Sequence, residues 1–211
     1  MRLIDRPGEI IVKEVELTNL NTNLTGEVDL PAGYPLECVE SATLSDGTAL
    51  TIRPIRPDDA PRLQHTFTHL SQRSIYLRFL QYITQLTDQQ AQRFANVDYQ
   101  TQMALVAAIQ EDGEEHLLGI ARYAKVGPHD PGAAESAVVV RDDYQGRGLG
   151  TVLLKRLIHY ALQNGVTTFI ATVNAGNTPV MHFIGKSGFP FEREMIEPGV
   201  FQIRILLQGQ K

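Results

Sequence analysis

The 211-residue chain contains one cysteine, Cys38, and no tryptophan. A single thiol cannot close a disulfide within the chain or build a thiolate metal site, which fits a reducing compartment. Cys38 reads as a small buried hydrophobe rather than a nucleophile. A basic block is also lacking. The densest candidate is the pair Lys155-Arg156, and the formal net charge is -5 with a pI near 5.7. That balance argues against a nucleic-acid partner, whose binding would draw on counterion release by clustered Lys and Arg. No apolar run approaches the ~20 residues needed to span a bilayer. The N-terminus, MRLIDRPGEIIV, has its apolar letters broken by Asp5, Arg6, Pro7 and Glu9. The expectation is a cytoplasmic protein with no membrane partner.

What remains is ordinary: 43% hydrophobic and 20% charged residues, enough for one well-buried core and an appendage. Residues 1–43 differ from the rest. EIIVKEVEL has the letters of a strand that adds to the edge of its own sheet or a partner's. TNLNTNLTGEVDLPAGYP is polar and turn-rich, with no period that buries a face. This segment reads as a partly ordered extension, followed by one domain over 44–211. Asn23-Leu24-Thr25 matches a glycosylation triplet that carries no weight without a secretion signal.

From Leu44 on, the pattern tightens. TALTIRPIR reads as a strand, and PDDAPRLQHTFTHLS as a helix with an Asp cap and with Leu63, Phe67 and Leu70 at helical spacing. RSIYLRFLQY and TDQQAQRFANV give two short helices, the second starting at Thr87. QMALVAAIQ and HLLGIARYAKV flank the turn EDGEE as an antiparallel hairpin. AAESAVVVR is short and valine-rich, hence a central strand. LGTVLLKRLIHYALQNG is a long helix whose Leu153, Leu157 and Ala161 share a face and which ends at Asn164-Gly165. TTFIATV, TPVMHFIGKSG and VFQIRILL follow as strand, helix and strand. The order implies an α/β (α+β) architecture, a mixed and mostly antiparallel sheet with helices on both faces.

Between the valine strand and the long helix lies DDYQGRGLGT, with Gly146, Gly148 and Gly150 at alternate positions. Glycines there permit a tight turn and close ligand approach, and the first amides of the next helix are free donors at its positive end. This is a place for phosphates. Its spacing, G-x-G-x-G, is not the dinucleotide fingerprint, and the Gly-Lys-Ser/Thr of a Walker loop is missing. A glycine-lined turn serving only chain reversal is the other reading of the spacing.

Gln145, Gly148 and Gly150 match Q/R-x-x-G-x-G/A, and here the chain resembles the GNAT family of N-acetyltransferases, whose acyl-CoA pyrophosphate loop has this pattern. LSDGTALTIRPIRPDDAP, LSQRSIYLRF, NVDYQTQMALVA, GIARY and VVVRDDYQGRGLG resemble, in order, the GNAT domain of bacterial protein lysine acetyltransferases of the Pat type. The likeness runs from Leu44 to about Leu207 and implies the GNAT fold. It also implies acetyl-CoA as cosubstrate and the amides of Gly146, Arg147, Gly148, Leu149, Gly150 and Thr151 as the diphosphate site. Main-chain groups around Val138, Val139 and Val140 would bind the pantetheine amides, and Asn177 its arm. Asn177 also reads as a helix cap, and the two jobs can coexist.

A lysine amine with pKa near 10.4 is protonated at about pH 7.4, so exposing its lone pair costs about 4 kcal/mol. A base is wanted. Glu135 stands where protein-acetylating members of the family often carry their general-base glutamate. Alternation puts it on the face of Ala137 and Val139, whose apolar character is expected to desolvate the carboxylate and raise its pKa. The other reading is a solvated glutamate at a strand entrance. Many members place a tyrosine acid five residues before the phenylalanine of a Gly-Phe pair. Here that position is Ile184, and Tyr123, Tyr144 and Ser187 are possible substitutes.

The implied activity is transfer of acetyl from acetyl-CoA to an amine by direct attack, with a protein lysine as the first candidate acceptor. A small amine acceptor and a non-catalytic acyl-CoA sensor are the alternatives. The protein is expected to be a monomer or homodimer. No metal is expected: His65 and His69 lie one helical turn apart, with no third ligand at sequence spacing. Arg53, Arg56, Arg73 and Arg78 are expected to pair with acidic neighbours or to touch the 3'-phosphate of CoA.

Overall fold

The β-branched and alternating segments form strands β1 (Ile11–Glu14), β2 (Glu40–Thr43), β3 (Ala49–Pro54), β4 (Gln102–Glu111) and β5 (Glu114–Lys125). They continue with β6 (Ala133–Val140), β7 (Thr168–Asn174), β8 (Phe191–Glu197) and β9 (Val200–Leu206). The computed structural model describes residues 11–14, 30–44 and 46–208. Among these the strands make one sheet in the order β1-β2-β3-β4-β5-β6-β7-β9-β8. Every neighbouring pair is antiparallel except β6 and β7. The expected mixed, mostly antiparallel sheet is therefore present.

Five helices flank it: α1 (Ala60–Thr68), α2 (Gln72–Phe79), α3 (Asp88–Ala95), α4 (Leu149–Gln163) and α5 (Thr178–Lys186). Their ends are written in the sequence. Thr87 accepts from the Gln90 N–H while Gln90 reaches back to the Thr87 N–H, a capping box. Asn164 closes α4, and Gly165 follows at φ 76°. The expected Asp cap of α1 works differently. The Asp59 side chain caps no amide of α1; its carboxylate accepts from the Arg56 N–H instead, closing a short 3-10 turn before the helix.

Two cores sit on opposite faces. Leu153, Leu157 and Ala161 of α4 are fully buried against β4, β5 and β6, as their shared face predicts. The other face carries α1 to α3 over Ala104, Val106 and Leu117. Helices thus cover both sides, and each fully buried Leu contributes roughly 1.5–3 kcal/mol. Gly119 lets β5 pass under α4: a Cβ there would lie 3.1 Å from Val140 Cγ2 and 3.2 Å from Leu153 Cδ1.

Two strands go beyond the sequence reading. β2 has four residues, and β8, FEREMIE, is exposed along its whole length, so neither has the alternation that marks a half-buried strand. In the N-terminal segment, Ile11–Glu14 pairs with β2 as the edge of this sheet, and Tyr34 packs edge-on against Tyr99. The glycosylation-like triplet 23–25 and most of the polar stretch lie outside the described residues.

Candidate active site

The cleft originates in a disagreement between two ladders. β6 pairs with β5 without a break from Ala134 to Val140, but with β7 only from Ala133 to Glu135. Beyond Glu135 the parallel strands part. The Arg141 N–H donates to Leu118 O, and Ala133 O accepts from the Val126 N–H. Odd-numbered groups on this strand therefore face β5. By alternation the main-chain groups of Val138 and Val140 face the opening, where β7 no longer meets them.

The opening leads into a cavity of about 420 Å³. Its walls include Val138, Val139, Val140, Gln145, Gly146, Gly148, Leu149, Gly150, Thr151 and Asn177. Ten of the expected cofactor residues are thus brought together from β6, the glycine loop and the start of α5. Arg147 is the exception. Its guanidinium turns away to Asp46 (2.6 Å) and the Asp143 carbonyl (2.9 Å) and lies over the Tyr144 ring, leaving only its backbone with the loop.

The loop itself offers donors. Gly146 and Gly148 have φ of 75° and 85°, in the left-handed region that favours glycine. None of the N–H groups from Gly146 to Thr151 makes a hydrogen bond among the described residues. Those of Leu149 to Thr151 open α4, at the positive end of its dipole. A Cβ at Gly146 would meet nothing within 4 Å, so the turn is open to a ligand. The loop is held from outside by Gln145, whose Nε2 lies 3.0 Å from Val140 O, 3.0 Å from Asp142 Oδ1 and 3.1 Å from Ser74 Oγ. Asn177 caps α5, its Oδ1 accepting from the Val180 N–H, and it lines the cavity as well, so capping and facing the cleft coexist.

Glu135 lies on the last rung shared by β6 and β7, opposite Ile170 and Ala124. With the β5 register unbroken, it shares the face of Ala137 and Val139. The expected desolvation does not occur: the side chain is exposed, with no hydrogen bond or ion pair among the described residues. Two short neighbours cannot wall off a glutamate at the point where the sheet opens. Of the candidate acids, Tyr123 is fully buried against Phe169, and its hydroxyl has no partner among the described residues. Burial drives its pKa far up. Tyr144 lies beside the loop, its hydroxyl 3.5 Å from Glu111, with its pKa raised first by burial. Ser187 lines the inner end of the cleft, its hydroxyl donating to Ile184 O. Ile184 is buried there.

The remaining expectations divide. Arg53 forms a fork with Asp59 and reaches Glu115, and Arg56 pairs with Asp58 and Glu115, all beneath α1. Arg73 reaches the Gly176 carbonyl. Arg78 lines the cleft and makes no ion pair among the described residues. Cys38 is half-buried, and burial pushes its thiol up to about 12, as suits a packed side chain. A third histidine does join His65 and His69: His116 of β5 lies with its ring 5.0 Å from that of His65. Sequence spacing could not reveal a neighbour that arrives from another strand. Even so, no group of three or more His, Cys, Asp or Glu placed to hold a metal occurs among the described residues. Nor is any helix among them long and apolar enough to cross a membrane.

Apart from Arg78, the cleft also uses residues that carried no sequence signal. Ser74, Leu77 and Arg78 of α2 roof it, and Pro179, Val180 and Phe183 of α5 line its side. Their faces are apolar in the ordinary way of packed helices, and only the tertiary arrangement turns them to a common space. A family model described as the Acetyltransferase (GNAT) family matches residues 68–189. An acetyltransferase of Pseudomonas aeruginosa is 36% identical over 152 residues, 72% of this chain and 81% of that protein. Acetyltransferase Pat of Mycolicibacterium smegmatis is 32% identical over 143 residues, 68% of this chain but 42% of that longer protein. Among solved structures, the GNAT domain of S. lividans PAT superposes with a TM-score of 0.73 at 28% identity, over 82% of this chain and 99% of that one.

Proposed function

Since the chain belongs to the GNAT family and is an acetyl-CoA-dependent N-acetyltransferase, we propose that its acceptor is a protein lysine ε-amine and that Glu135 is the general base. One observation carries the reading: Glu135 stands where β6 leaves β7, and the freed edge of β6 runs from there to the unpaired amides of 146–151. The likeness to the Pat proteins supports a protein acceptor. So does the exposure of Glu135, which a side chain presented by another protein can reach from solvent.

The residues fit acetyl-CoA, which supplies an acetyl group activated as a thioester. Six consecutive N–H groups and the N-terminus of α4 match a diphosphate. Val138 and Val140 offer donors and acceptors to the amides of the pantetheine arm, and Asn177 faces the same space. A main-chain N–H on the freed edge is the donor for the carbonyl oxygen as it gains charge. Glu135 takes the proton from the acceptor ammonium, directly or through one water, the step that for a lysine amine at pH 7.4 costs about 4 kcal/mol. CoA leaves as a thiolate, whose conjugate thiol is far more acidic than an alcohol, so departure needs no dedicated acid at Ile184.

Glu135→Gln keeps the shape and removes the base. The expected result is a fall in kcat/KM of about 10²–10⁴, with acetyl-CoA affinity by calorimetry unchanged. Undiminished transfer would remove Glu135 from the mechanism. Incubating a lysate with the protein and labelled acetyl-CoA tests the acceptor: label is expected on protein lysines by mass spectrometry, and label on small molecules alone would refute a protein acceptor.

A further inference from the structure

Many arginines of the protein sit on carboxylates: Arg53 on Asp59 and Glu115, Arg62 on Asp58, Arg141 on Asp143, Arg204 on Asp130. Arg78 of α2, Arg93 of α3 and Arg122 of β5 make no ion pair among the described residues. Arg73 and Arg193 are likewise without an ion pair among these residues, but they and Arg93 are exposed, whereas Arg78 and Arg122 are half-buried beside the cleft in a chain of net charge -5.

Arg78 and Arg122 line a pocket on the α1–α3 side of the sheet with Leu70, Phe79, Phe94 and Val139. The Arg78 Cζ lies 4.9 Å from the centre of the Phe79 ring, and the Arg122 Cζ is 4.9 Å from the centre of Phe94. The two rings stack at 6.5 Å and 25°. Aromatic faces thus support both guanidinium groups and leave N–H edges for another partner. Among the described residues Arg122 has one hydrogen bond, to the neutral Gln102 at 3.3 Å, and Arg78 has none. Burial lowers the pKa of Arg78 to about 10, and the charge that adds to this is that of Arg122, with no carboxylate in opposition. Desolvated charge without a partner opposes folding, so its presence calls for an anion from outside.

Position identifies the anion. Arg122 pairs with Ala137 and Ala124 with Glu135, so Arg122 and Glu135 share a face and stand two residues apart along the ladder, roughly 7 Å. The two arginines and the candidate base thus stand on one face of the sheet. A guanidinium fork matches a carboxylate in two parallel bonds. We propose that Arg78 and Arg122 bind a carboxylate that the acceptor carries next to the amine to be acetylated. Such a carboxylate comes either from the α-carboxyl of a free amino acid or from an Asp or Glu beside a lysine in a protein. This inference rests on the acetyltransferase reading of the cleft.

Binding without turnover tests it. The full chain, saturated with CoA, is titrated by calorimetry with N-acetyl-L-leucine and its methyl ester, and with two Nε-acetyl-lysine peptides that differ only in a flanking Glu or Gln. The carboxylate member of one pair is expected to bind about tenfold or more tightly than its neutral twin. The pair that discriminates identifies the source. Arg122→Gln, outside the larger cavity, should abolish the discrimination while CoA affinity and melting temperature stay as they were. Arg78→Lys should keep part of what Arg78→Met loses. Equal binding of charged and neutral forms, binding of neither, or discrimination that survives both Arg122→Gln and Arg78→Met overturns the proposal. Failure of CoA to bind would instead sink the cleft itself, and full activity in Glu135→Gln would remove only the base.

Discussion

Gly148 shows how much one residue type decides. Its φ of 85° at the N-cap of α4 costs an alanine about 1–2 kcal/mol, and relaxing that strain moves the amides on either side. Gly148→Ala is therefore expected to weaken CoA binding about tenfold or more by calorimetry, with the melting temperature only slightly lowered. Gly150 differs: a Cβ there would lie 3.5 Å from Val140 Cγ2, an ordinary contact, so the fold has no need of glycine at this position. Letters identified the loop because free amides and left-handed turns demand particular residues. Letters left open whether Glu135 is desolvated or in solvent, since exposure depends on where β7 stops pairing. For Arg78 the letters left open an acidic neighbour or the cofactor's 3'-phosphate, and only the fold showed that among the described residues it makes no ion pair.

The segment before α1 owes its geometry to one buried knot of charge. Asp59, wholly buried, takes both forks of Arg53 (2.7 and 2.8 Å) and the Arg56 N–H, and Arg53 reaches on to Glu115 of β5. Burial alone would raise the Asp59 carboxyl, but hydrogen bonds and charge from Arg53 outweigh it and hold the pKa below the usual range. A depressed folded pKa means stability that is present above the unfolded value of about 3.9 and lost as pH falls through the folded one. Asp59→Asn should then cost about 3–5 kcal/mol at neutral pH in urea unfolding. The gap to wild type should narrow as the pH is taken below about 4. A gap that stays constant would show that this carboxylate does not couple to folding. The elements themselves were legible where a period or a cap marked them, as with Thr87, Asn164-Gly165 and the valine strand. β8 was not, because a strand exposed on both faces has no alternation to read.

At the scale of the whole molecule, β3, β4, β5 and β6 form a continuous antiparallel block, and the cleft opens where that block meets β7 and α5. A ligand bridging the seam favours the folded state. CoA at about 100 times its dissociation constant should add about 2.7 kcal/mol, a rise in melting temperature of roughly 5–10 °C for a chain of this size. Gly148→Ala should lose most of that rise, and a wild-type melt indifferent to CoA would count against the site. The sequence by itself determined the elements with clear periods, the glycine turn and the likeness to a family, because those are local constraints on which residues a backbone will accept. The tertiary structure alone decided where β6 and β7 part, that Glu135 is left in solvent, that His116 joins His65, and that Arg78 and Arg122 share a pocket without an acid. Each of those depends on segments distant in the chain meeting in space, and no spacing along one segment encodes the distance to another.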